Sequence, residues 1–148
     1  MVYTRADYES TPAGRFVYDV LLSFPVACFT LALATDIAYW RTSYLMWQHF
    51  SSWLLLAGLV SGALAWIVGI VVAVAGRDAR GPVWLNAVLG LLVLGLAFVN
   101  SLVHSGDGWT AVVPYGLLLS AATVLLMLVG GWFGRRRVVR HTGDRRHD

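Results

Sequence analysis

The chain has 148 residues, enough for one small domain; 58% of them are hydrophobic and only 13% charged. A soluble domain carries about 25% charged residues, so an apolar surplus of this size does not fit inside one small aqueous core and points to a bilayer. The basic balance (net charge +3, pI ≈ 9.4) comes from Arg alone, clustered, apart from Arg41, at the chain ends and in one loop. That placement fits a membrane surface and not nucleic acid.

Residues 1–15 are polar, mixed in sign and contain Pro12 and Gly14, which reads as a cytoplasmic N-terminal tail. Four apolar runs follow, from about Phe16 to Trp40, Phe50 to Ala75, Val83 to His104 and Thr110 to Phe133. Each is long enough to cross roughly 30 Å of hydrocarbon at about 1.5 Å per residue, and none alternates as a membrane strand would. The connections Arg41–His49, Gly76–Pro82 and Ser105–Trp109 are short, so neighbouring helices are antiparallel. Residues 135–148 form an Arg-rich cytoplasmic tail. The expected fold is all-α, an integral membrane four-helix bundle running up-down-up-down.

Ala32–Leu33–Ala34 resembles a signal-peptidase site, but Asp7, Glu9 and Asp19 precede it and Pro25 interrupts the apolar run, so the first run is read as a span. Arg5, Arg15, Arg77, Arg80, Arg135, Arg136, Arg137, Arg140, Arg145 and Arg146 fall on one side of a four-span chain and Arg41 on the other. The positive-inside rule makes the crowded side the cytoplasm, with both termini there, in a bacterial inner membrane. Aromatics gather at both expected interfaces: Tyr39, Trp40, Tyr44, Trp47, Trp53, Trp109 and Tyr115 outside; Tyr18, Trp84 and Trp132 inside.

In lipid, small residues that let backbones approach are what favour packing. Gly58, Gly62, Ala65, Gly69, Ala73 and Gly76 fall within an arc of about 80° on the second helix. Gly90 and Ala97 on the third helix, and Ser120, Gly130 and Gly134 on the fourth, supply matching faces. Such faces predict a tight bundle, and part of this surface is open to a homo-oligomer. Pro25 predicts a kink in the first helix.

Ionisable groups inside a membrane are costly and mark function. Asp36 near the outer end of helix one, His49 opening helix two and His104 closing helix three, with Asn100 one turn deeper on the same face, are the candidates. A carboxylate and two imidazoles at one depth suit a metal or haem iron, with His49 and His104 as ligands of a haem b. Counting 100° per residue, however, turns His49 about 180° away from the glycine stripe. Solvated helix ends, and a bundle hydrogen bond from His104 or Asn100, explain the same residues. Asp19 is read as paired with Arg15 or Arg77 or simply solvated, ahead of a proton-handling role, Asn86 as bridging helices, and lone Cys28 as a small buried hydrophobe. No phosphate loop, CxxC, HExxH or nucleophile elbow is present.

Four segments together carry a family resemblance: LLSFPVACFTLALATDIAYWRT at 21–42, FSSWLLLAGLVSGALAWIVGIV at 50–71, WLNAVLGLLVLGLAFVNSLVHS at 84–105 and VVPYGLLLSAATVLLMLVGGWFG at 112–134. From about Val17 to His141 the chain resembles a bacterial four-helix membrane family known as domain of unknown function twenty-two thirty-one. Its most specific pieces here are Phe24–Pro25, Thr35–Asp36, Asn100 with His104, Pro114 with Gly116 and Ser120, and Gly131–Trp132. Ser23 and Val72 depart from it, standing where many members have histidine and aspartate. The resemblance implies a four-span inner-membrane protein and no set activity; some relatives joined to cytochrome-like modules favour the redox reading. Two functions are therefore expected to compete: a non-enzymatic accessory or scaffolding component, and a haem- or metal-binding redox module.

Overall fold

The computed structural model describes residues 12–74, 83–106 and 112–144, with side chains described for 20–71, 84–106 and 112–132. The expectations for residues 1–11, Arg77, Arg80 and Trp109, and for the side chains of Arg15, Asp19 and the Arg cluster from 135 onward, lie outside the described residues. Four helices follow in order: α1 (Pro12–Thr42), α2 (Leu45–Val74), α3 (Val83–Ser105) and α4 (Leu117–Asp144). All four contain a stretch long and apolar enough to cross a membrane. α1 packs on α2 and α4, and α3 packs on α2 and α4, which closes a four-helix ring.

The helices outrun their apolar stretches. α1 begins at Pro12, inside the segment read as a tail, and α4 continues through Arg135–Arg140 to Asp144. Apolar content sets where a helix enters lipid; the backbone ladder continues into water wherever no breaker stops it. The connection expected at Arg41–His49 shrinks to Ser43 and Tyr44. Ser43 adopts a left-handed conformation (φ 54°) and its N–H donates to the Tyr39 carbonyl at 2.7 Å. That is the αL termination of a helix, here without glycine. Tyr44 N–H then reaches Thr42 Oγ1 at 3.4 Å. α1 itself runs through Pro25 as one helix.

The tight turn fixes the register of α1 on α2. Pro25 faces Gly62, Phe29 faces Gly58 and Asp36 faces Ser51, each pair equidistant from Ser43–Tyr44. Ala32 and Leu55, equidistant likewise, share the apolar core with Phe29 and Ala97. A Cβ on Gly58 would lie 2.5 Å from the Phe29 ring, and one on Gly62 2.9 Å from Leu94 of α3. The glycine stripe is thus used within the chain at these two positions. Ala65 is buried and Gly69 half-buried. On α3, Gly90 seats Trp66, whose Nε1–H donates to the Ala87 carbonyl at 2.9 Å. Ala97 is fully buried, Gly130 faces Leu89, and Gly134 lies on α4 where side-chain surroundings are not described.

Before α4, Val112–Gly116 bend rather than continue a regular helix, because Val113 is extended (φ −120°, ψ 119°). Pro114 disfavours a helical conformation in the residue before it. The regular fourth helix therefore starts at Leu117 and not near Thr110. Asn86 is exposed on α3 rather than bridging helices.

Gly58→Leu should lower stability by about 1–3 kcal/mol, the usual cost of overpacking a close contact. Gly95→Ala, at a glycine with nothing within 4 Å of the added Cβ, should cost nothing measurable. Thermal unfolding in mild detergent checks both.

Candidate functional site

Among the described residues, most buried side chains are apolar or small, but six polar ones are buried as well: Asp36, Ser51, Asn100, His104, Ser120 and Thr123. Five of them form one network around Asp36, whose carboxylate is fully buried. Ser51 of α2 donates to Asp36 Oδ1 at 2.5 Å, and Ser120 of α4 donates to Oδ2 at 2.5 Å. His104 Nε2 of α3 lies 2.9 Å from Oδ1. One side chain of α1 therefore holds a hydrogen-bond partner on every other helix. Unpaired, a carboxylate in this environment would be prohibitively costly.

An outer layer supports these contacts. Asn100 Nδ2 donates to Ser120 Oγ at 2.7 Å, and the Asn100 backbone carbonyl lies 2.9 Å from His104 Nδ1. Thr35 Oγ1 meets Ser51 Oγ at 2.7 Å. A Cβ on Gly116 would lie 2.9 Å from His104 Cε1, so this glycine leaves the space the imidazole fills. Ser120 has a single hydrogen, which goes to Asp36. It must accept from Asn100, so the amide nitrogen of Asn100 is the atom that faces it. Asn100 Oδ1 is left buried without a partner.

Of the residues singled out in the sequence, Asp36, Asn100 and His104 lie together. Asp36 is not at a solvated end: α1 runs six more residues to Thr42, about 9 Å at helical rise, and its neighbours close over it. His49 is exposed on α2 and has no place in the network. His104 has both ring nitrogens engaged, by Asp36 and by the Asn100 carbonyl. A haem held between these two histidines does not fit that arrangement, since iron would have to displace a buried partner of His104. Among the described residues, no group of three or more His, Cys, Asp and Glu side chains is placed to hold a metal ion. Cys28 is buried and free.

Ser51 and Thr35 were not singled out for polar chemistry, and Ser120 only for packing. A signal for Ser51 exists: it is seven residues before Gly58, within about 20° of the glycine stripe. Ser23, where the resemblance expects a histidine, is exposed and donates to the Val20 carbonyl at 2.9 Å. It lies thirteen residues before Asp36, about 20 Å along the helix, and is not part of the network.

The fold and its buried network define a helical membrane protein with four candidate spans and an ionisable centre. The match to known sequences agrees: the family described as "Predicted membrane protein (DUF2231)" covers residues 18–145, and the chain belongs to it. No curated protein and no solved structure matches the chain.

Asp36→Ala would strand His104, Ser51 and Ser120 at once and should destabilise the bundle by about 3 kcal/mol or more. Ser51→Ala and Ser120→Ala should each cost about 1 kcal/mol, and exposed His49→Ala less than about 0.5 kcal/mol. Thermal or denaturant unfolding of the four variants checks the ranking.

Proposed function

We propose that this protein is a non-enzymatic accessory or scaffolding module of the bacterial inner membrane, a rigid four-helix unit against which other membrane components assemble. The observation that carries the reading is the mutual engagement of the buried polar groups that surround Asp36. Asp36, Ser51, Ser120 and His104 spend their hydrogen bonds on one another and tie four helices together. A nucleophile needs a base aimed at it and an open face for substrate. Neither serine has both, because Ser120 gives its hydrogen to a carboxylate inside the core and Ser51 is fully buried.

Orientation with both termini cytoplasmic is part of the proposal and rests on the arginine distribution. The basic end of α4 would then meet anionic lipid on the cytoplasmic face. Homo-oligomer formation is compatible with the reading, since helix surface remains beyond the faces used inside the bundle.

The redox alternative is disfavoured by the engagement of both His104 nitrogens. Protein purified in mild detergent without added ligand should show no Soret band and no stoichiometric metal. It should cross-link to defined neighbours in intact membranes. A Soret band lost in His104→Ala would overturn the scaffold reading. For orientation, Cys28→Ser gives a background without cysteine. An impermeant maleimide should label Ser43→Cys in intact cells and Arg145→Cys only after lysis; the reverse pattern would invert the topology.

A further inference from the structure

We infer that Asp36 and His104 together form an intramembrane proton-binding site that holds one proton between the carboxylate and the imidazole, leaving the buried network electrically neutral. The hydrogen inventory leads there. His104 Nδ1 lies 2.9 Å from the Asn100 carbonyl, which can only accept, so Nδ1 carries a hydrogen. With Nδ1 occupied, a neutral ring has only a lone pair at Nε2. Nε2 faces Asp36 Oδ1 at 2.9 Å, and an ionised carboxylate there also offers only lone pairs. The contact requires a further proton, on Nε2 as imidazolium or on Oδ1 as carboxylic acid.

Charge leads to the same count. Ser51, Thr35, Asn100 and Ser120, the other members of the network from all four helices, are uncharged, and among the described residues His104 is the one basic group that touches Asp36. An ionised Asp36 beside a neutral ring would leave one net negative charge fully buried inside the bundle. Binding adds one proton from water at the Nε2–Oδ1 contact; release returns it and leaves the site with charge −1. The two groups act as a coupled pair, so the proton belongs to the pair and not to either residue. His104 sits in the last turn of α3, and its side chain, like that of Asp36, is fully buried. Gly116 shapes the slot for that ring. The site stands whether or not the scaffold reading does.

Nuclear magnetic resonance of the full chain in lipid nanodiscs tests this directly. The triple variant H49Q/H141Q/H147Q leaves His104 as the one histidine and replaces no member of the network. With the His104 imidazole labelled in nitrogen and the aspartates in carboxyl carbon, both partners are read together, and Asp36→Asn assigns the carboxyl signal. Should Asp36→Asn not fold, Ser120→Ala identifies the same signal by perturbing it. An imidazolium beside an ionised carboxylate, or a neutral Nδ1–H ring beside a carboxylic acid, supports the site. A neutral ring of either tautomer beside an ionised Asp36 overturns it, as does an imidazolium beside a carboxylic acid, which would mean two protons.

Discussion

A carboxylate fully buried among membrane-spanning helices is the constraint on which the rest of this bundle turns. Asp36 cannot be accommodated by apolar packing, and lipid offers it nothing. It therefore dictates which residues stand opposite: a hydroxyl on α2, an imidazole on α3 and a hydroxyl on α4. Remove that demand and no reason remains for Ser51, Asn100, His104 and Ser120 to converge in a core otherwise filled by Phe29, Ala32, Leu55 and Ala97.

Two helical hairpins deliver those residues. The α1–α2 turn at Ser43–Tyr44 brings Asp36 to Ser51, and the same register seats Phe29 on Gly58 and Pro25 by Gly62. Across α3 and α4, Asn100 meets Ser120 and His104 meets Gly116, two pairs equidistant from residue 110. Small residues and the polar network do different work. The glycines permit close approach, which van der Waals packing between helices requires in lipid. The hydrogen bonds choose one register among several that the glycines would tolerate. A single hydrogen bond between membrane helices averages about 0.6 kcal/mol, so specificity here depends on several bonds sharing one carboxylate.

Much of the architecture was legible in the sequence because hydrocarbon thickness leaves little choice: runs of this length and composition must span, and short links make them antiparallel. Helix ends were less legible. The apolar signal stops at the lipid boundary, whereas α4 continues to Asp144, and a serine rather than a glycine closes α1. In the site, Asp36 and His104 were readable as costly groups at one depth, with Asn100 one turn deeper on the face of His104. Ser51 was not, since a serine in a membrane helix is common. Only its position on the glycine face, and its equal distance with Asp36 from the turn, mark it. His49 drew notice by chemistry, while its angle, about 180° from that same face, already placed it outside. Angular position was the better guide than residue type.

The central claim is that Asp36 and its partners act as one unit holding four helices. A double-mutant cycle with Asp36→Asn and Ser120→Ala, read by reversible unfolding in detergent, tests it most directly. If the two residues belong to one network, the double variant should lose about 0.5–3 kcal/mol less than the summed single losses. Losses that simply add would mean that α1 and α4 are held independently, and the account of a shared carboxylate would be wrong.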